Sequence, residues 1–63
     1  MVEGMNMQPQ FVIYAELEVP VGHEPIVTSF LWIHDAESGY KRAYKDAALF
    51  DLKIKNVWHI PYE

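Results

Sequence analysis

The stretch FVIYAELEV, residues 11–19, decides how this chain folds. Its apolar side chains share one parity: Phe11, Ile13, Ala15, Leu17 and Val19. The other parity carries Val12, Tyr14, Glu16 and Glu18. An alternation with a period of two is typical of a strand that is buried on one face only. We therefore expect a strand over these residues, with Tyr14, Glu16 and Glu18 on its open side.

Two more strands are expected downstream of this one. Prolines at positions 20 and 25 bracket Gly22, which predicts a hairpin loop. Residues 26–34, IVTSFLWIH, are apolar on both parities, a pattern typical of a strand buried on both faces. Residues 52–60 predict a third strand, in which Leu52, Ile54, Trp58 and Ile60 share one parity and Asn56 marks a bulge or the true start.

A helix is expected between the second and third strands. From about residue 38 to about residue 50 the apolar positions recur at steps of three and four, through Ala43 and Ala47. Ser38 or Asp35 is a suitable N-cap. The bases on the opposite side are Lys41, Arg42 and Lys45.

The order of these elements is β-β-α-β, and it predicts the topology. A helix that crosses back over the hairpin brings the third strand antiparallel to the first. We therefore predict an α+β fold, with a three-stranded antiparallel sheet of order 2-1-3 and one helix on one face. Residues 10–63 are expected to form this single domain, and residues 1–9 a flexible tail.

Length and composition exclude several classes of protein. The chain has 63 residues, no cysteine and a net charge of −4, so neither a disulfide nor a cysteine-based zinc site can support this small domain. No apolar run approaches the length of a membrane span, and no signal-peptide pattern is visible, so we expect a cytoplasmic protein. Residues 1–40 hold six acidic residues and no lysine or arginine, whereas all five bases lie in residues 41–55. This asymmetry indicates an electrostatically directed contact.

The residue pattern gives little indication of a catalytic site. No serine belongs to a nucleophile motif, and the three glycines are isolated, so no phosphate-binding loop is present. Glu16 and Glu18 are more simply the solvated side of a strand than an acid–base pair. The predicted topology puts His23 at the opposite end of the sheet from His34 and His59. We expect no enzyme, no cofactor and no metal site.

Binding to another protein is the function that the pattern favours. One helix covers one face of a sheet, so apolar residues remain on the other face, and exposed apolar patches usually mark an interface. The residues expected to bind a larger protein with a basic surface are Tyr14, Glu16, Glu18, Trp32 and Trp58. Two alternatives stay open. One is nucleic-acid binding through Lys41, Arg42 and Lys45, which the net charge disfavours; the other is self-association into a homodimer.

The same segments carry a resemblance to a known group of proteins. Phe30-Leu31-Trp32-Ile33, Ala36-Glu37-Ser38, the pair Ala43 and Ala47, and the pair Val57 and Ile60 are the residues concerned. Over residues 26–60 the chain resembles small early proteins of bacteriophages, such as the T7-type inhibitors of host RNA polymerase and small anti-CRISPR proteins. The resemblance implies a phage-encoded inhibitor that acts in the host cytoplasm by blocking a larger host protein.

Overall fold

The computed structural model describes residues 8–62, which form a three-stranded sheet and one helix. The elements are β1 (Phe11–Leu17), β2 (Ile26–Trp32), α1 (Ala36–Leu49) and β3 (Ile54–Pro61). The strand order is β2-β1-β3, and both pairings are antiparallel. The predicted α+β fold and sheet order are therefore confirmed. Of the expected tail, residues 1–7 lie outside the described residues.

The β1–β2 hairpin runs in register from Phe11 opposite Trp32 to Leu17 opposite Ile26. Both strands end two residues earlier than predicted. Within the loop, the His23 N–H donates to the Pro20 carbonyl over 3.0 Å, which closes a β-turn. Gly22 has a φ of +88° at the third position of this turn, where side-chain-bearing residues are strained.

The helix begins two or three residues earlier than predicted because Asp35, not Ser38, is its N-cap. The Asp35 carboxylate accepts the Ser38 N–H over 3.2 Å, and its carbonyl accepts the Gly39 N–H over 3.3 Å. The Ser38 hydroxyl points back and lies 2.9 Å from the Asp35 carbonyl oxygen. Ser38 therefore lies inside the first turn and reinforces the cap.

A register shift in β3 changes which of its side chains face the helix. Glu16 pairs with Asn56 but Leu17 pairs with Ile54, so Lys55 is the extra residue of a bulge. Ile54 consequently lies on the helix side with Val57, while Trp58 lies on the opposite side. The expectation that Ile54 and Trp58 share a face is wrong for this reason.

The core lies between α1 and the sheet, where the most buried apolar residues are Ile13, Ala15, Ala43 and Ala47. The helix packs mainly on β1 and β3. β2, predicted to be buried on both faces, is therefore left partly uncovered at the edge of the sheet, with Val27 48% and Leu31 50% exposed. Within residues 8–62, the apolar side chains of β2 are therefore only partly covered.

Candidate functional site

The sheet surface turned away from α1 is the main candidate site, and we call it the open face. Directly opposed residues in a sheet share a face, so the register assigns its members. They form three cross-strand rows: Leu31–Val12–Ile60, Ser29–Tyr14–Trp58 and Val27–Glu16–Asn56.

The centre of the open face is a stacked aromatic pair. Tyr14 on β1 lies opposite Trp58 on β3, and their ring planes are 8° from parallel with centroids 5.5 Å apart. This separation with nearly parallel planes corresponds to an offset stack, the favoured arrangement for aromatic rings. Both side chains are only half-buried, so the stack remains accessible from the open face.

Aliphatic side chains surround this stack. Val27 and Leu31 on β2 are half exposed, and Ile60 on β3 is 45% exposed. Together with Val12, they make one flanking row (Leu31–Val12–Ile60) and the β2 end of the other flanking row apolar. An apolar surface of this kind on a small protein is typical of a contact site.

Charge on the open face is concentrated towards the hairpin end. The Glu16 carboxylate lies 3.8 Å from the ammonium group of Lys55, the bulge residue of β3. Glu18 follows the end of β1, and its side chain is exposed while its N–H donates to the Lys53 carbonyl over 2.9 Å. The Lys55 contact partly neutralises Glu16, so Glu18 is the freer of the two carboxylates to meet an external cation.

Trp32, one of the predicted binding residues, lies on the other side of the sheet. It is opposite Phe11, and its indole N–H donates to the Ser38 hydroxyl over 3.0 Å, at the start of α1. The structure therefore brings Tyr14, Glu16 and Trp58 together, places Glu18 at one end of them, and separates Trp32 from the group.

The aliphatic members of the open face are not among the predicted binding residues. Val12 carries the same parity as Tyr14, and Ile60 the same parity as Trp58, so the alternation alone would have found both. Val27 and Leu31 needed the pairing register, because β2 is apolar on both parities.

The basic residues of α1 lie on the helix side of the molecule, which is opposite the open face. Lys41, Arg42 and Lys45 are exposed, away from the buried stripe of Gly39, Ala43 and Ala47. The Arg42 Nε lies 3.0 Å from Asp46, one helical turn further along, and the Lys41 Nζ lies 3.9 Å from Glu37. Helix and sheet thus separate these bases from the aromatic stack.

A second apolar surface lies on the helix side, next to β2. It is a groove with a cavity volume of about 230 Å³, bounded by Phe30 on β2, Ala43 and Ala47 on α1, and Leu52 beyond the helix. Phe50, at the helix end, also lines it and is 74% exposed. The groove exists because α1 packs on β1 and β3 and leaves β2 partly uncovered.

The His59 ring packs against aromatic side chains on the helix side of the sheet. The His59 ring contacts the Tyr40 hydroxyl and meets the Phe11 ring edge-on, with centroids 5.2 Å apart. Within residues 8–62, no three histidine or acidic side chains are grouped so that they could hold a metal ion. The helix described here is too short and too polar to cross a membrane.

The open face is thus the surface that collects the most predicted binding residues, around the Tyr14–Trp58 stack. Its members come from all three strands, so the sheet backbone holds them in fixed positions. Comparisons of the chain with protein-family models, with curated proteins and with solved structures found no match.

Proposed function

We propose that this chain is a non-enzymatic protein-binding module that docks on a larger protein through its open face. The observation that carries the proposal is the Tyr14–Trp58 stack, half-buried and set among exposed aliphatic side chains. Tyrosine and tryptophan at the centre of an apolar patch are the residues most enriched at binding hot spots.

Two energetic terms, the apolar area of the open face and the fixed position of its rings, favour binding. Covering Val27, Leu31 and Ile60 removes apolar surface from water, worth about 25 cal/mol for each Å². The stacked rings are already held by each other and by the sheet, so little side-chain freedom is lost on binding. Both terms favour association through this face.

The charge distribution supports a partner with a basic surface. Glu18 and Glu24 are exposed at the hairpin end of the molecule, and the chain carries a net charge of −4. Charges at the rim of an interface increase the rate of encounter and select the partner more than they add affinity. A basic partner is therefore attracted to the end of the open face where Glu16 and Glu18 lie.

The specific form that the resemblance implies is a phage-encoded inhibitor acting in the host cytoplasm. A rigid, apolar surface with acidic residues at one end suits a small protein that blocks a larger host protein. Nucleic-acid binding is the weaker alternative, because the aromatic platform and the helix bases lie on opposite layers and two of the bases already have acidic neighbours.

A pair of tyrosine variants tests this proposal. Tyr14→Ala removes half of the stack on the open face, whereas Tyr44→Ala removes an exposed tyrosine from α1. We expect Tyr14→Ala to weaken binding to a captured partner by at least about tenfold, as for a hot-spot residue, and Tyr44→Ala to leave it unchanged. The measurement is affinity purification from host lysate, followed by titration of the identified partner against each variant.

A charge reversal provides the second arm of the experiment. Glu16→Lys should slow association with a basic partner and reduce its dependence on salt. Circular dichroism of each variant establishes that the fold is retained. Equal partner affinity for wild type, Tyr14→Ala and Glu16→Lys would exclude the open face as the docking surface.

A further inference from the structure

The two edges of the sheet differ in their protection against pairing with another strand. The β3 edge carries a bulge at the charged residue Lys55 and ends in Pro61, which has no N–H. Bulges, lysines and prolines are the devices that prevent edge-to-edge association. The β2 edge, Ile26–Trp32, has seven residues with no charge, no proline and a regular register with β1.

The hydrogen-bond phase shows which groups of β2 point outwards. The Tyr62 N–H donates to the Gln10 carbonyl, and the Glu18 N–H donates to the Lys53 carbonyl. Even-numbered positions of β1 therefore bond to β3, and odd-numbered positions bond to β2. It follows that the N–H and C=O groups of Val27, Ser29 and Leu31 point away from the sheet.

We propose that β2 pairs antiparallel with β2 of a second copy, about a two-fold axis at Ser29, to form a continuous six-stranded sheet. Ser29 is the middle residue of the strand, and its outward groups meet those of Ser29 in the second copy. Val27 then bonds with Leu31 of the second copy, and Leu31 with its Val27. Every outward N–H of the three residues finds a carbonyl on the other copy.

The side chains are self-complementary in the same register. On the open face, the exposed Val27 comes next to Leu31 of the second copy. On the helix side, Phe30 comes next to Thr28 of the second copy, beside the apolar groove. Apolar and aromatic pairs that are directly opposed stabilise an antiparallel sheet.

The absence of charge on β2 agrees with this register. None of the residues Ile26–Trp32 is charged, so no like charges are opposed within the paired strands, although the chain carries a net charge of −4. A second copy of this chain therefore suits the β2 edge in backbone and side chains.

The pairing extends the proposed function, because it joins two open faces into one surface. The two β1 strands would be three strand spacings apart, about 14 Å, with one Tyr14–Trp58 stack on each side of the axis. Such a surface binds a partner through two equivalent patches.

Complementary charges placed at Ser29 test the position of the axis. Ser29→Lys and Ser29→Glu each put like charges directly opposite one another in the dimer. We expect wild type to sediment as a dimer of the 7.4 kDa chain at tens of micromolar, and each variant to dimerise more than about tenfold more weakly. An equimolar mixture of the two variants should recover the dimer.

Asn56→Lys is the control variant, because it adds a charge to the open face at the opposite edge of the sheet. It should leave dimerisation unchanged.

Residue-resolved hydrogen exchange tests the backbone pairing. The amides of Val27, Ser29 and Leu31 should be protected in concentrated wild type and lose protection on dilution, whereas the Phe30 amide, bonded to β1, stays protected until the hairpin opens. A wild-type monomer at all these concentrations would overturn the proposal. The proposal would also be overturned if Ser29→Lys left the dimer intact and Tyr14→Ala dissociated it. That result would place the contact between copies on the open face. Loss of partner binding in Tyr14→Ala, with the dimer intact, separates this inference from the proposed function.

Discussion

At the scale of single residues, Asp35 shows how one carboxylate sets the start of a helix. Its pKa is lowered from the ordinary value of 3.8, first because the Ser38 backbone N–H donates to the carboxylate. Its own N–H and the Ser38 hydroxyl act in the same direction. Hydrogen bonds to the charged form favour that form over the protonated one.

The lowered pKa predicts an acid-sensitive contribution to stability. Because the folded pKa lies below the unfolded one, this contribution is fully present above the unfolded pKa and is lost as the pH falls through the folded pKa. Asp35→Asn keeps a capping side chain without a titratable group. We therefore expect thermal unfolding of Asp35→Asn, measured between pH 7 and pH 2, to depend less on pH than that of wild type. Parallel curves for the two proteins would contradict this role of Asp35.

At the scale of an element, α1 ends in a regular C-terminal motif in which one residue, Asp51, is unfavourable. The Leu52 N–H donates to the Ala47 carbonyl and the Asp51 N–H to the Ala48 carbonyl, which is the hydrogen-bond pattern of a Schellman motif. Asp51 occupies the left-handed position with a φ of 60°. Glycine is favoured there, and an acidic side chain at a helix C-terminus opposes the helix dipole.

Asp51→Gly should therefore stabilise the protein. We expect a gain of about 0.5–1 kcal/mol in the free energy of unfolding, measured by denaturant titration. Ala48→Gly is the matched control, because it places a glycine in the last turn of the same helix, where the φ is ordinary, and it should lose up to about 1 kcal/mol. A loss of stability in Asp51→Gly would show that the Asp51 side chain makes a favourable contact.

At the scale of the whole molecule, the close approach of helix and sheet depends on Gly39. A Cβ at this position would lie 2.7 Å from the Ile13 Cδ1 and 3.0 Å from the Trp32 Cδ1. Ile13 is completely buried, so any shift of its side chain must be accommodated within the packed core. The absence of a side chain at Gly39 is what lets α1 lie on this part of the sheet.

Gly39→Ala should consequently destabilise the protein although alanine is the better helix former. The propensity gain is at most about 1 kcal/mol, whereas overpacking a core costs about 1–3 kcal/mol. We expect a net loss in the free energy of unfolding, measured by denaturant titration. Lys45→Ala, on the exposed side of the helix, should change it by less than about 0.5 kcal/mol. Stability equal to or above that of wild type in Gly39→Ala would mean that the sheet adjusts to the extra methyl group.

The local sequence pattern was enough to predict the secondary-structure elements and their order in the sheet. The alternation over residues 11–19 identified β1 and its two faces, and the capping and breaker residues located the helix and the hairpin, although α1 begins earlier than predicted. These features depend on backbone geometry and on residues close in sequence, so no tertiary contact is needed to infer them. The sheet order followed from connection handedness, which is equally independent of side-chain detail.

Packing between segments that are distant in sequence decided which side chains share a face and which strand stays uncovered. Which face of β2 meets the helix depends on its register with β1, and that register separates Trp32 from the open face. The bulge at Lys55 reverses the parity of Ile54 relative to Trp58, and one extra residue has no clear mark in the local alternation. The composition of β2 indicated burial, but the sheet order and the position of α1 left it at an edge. Its exposed apolar residues therefore owe their position to tertiary packing, since one helix seated on β1 and β3 cannot also cover β2.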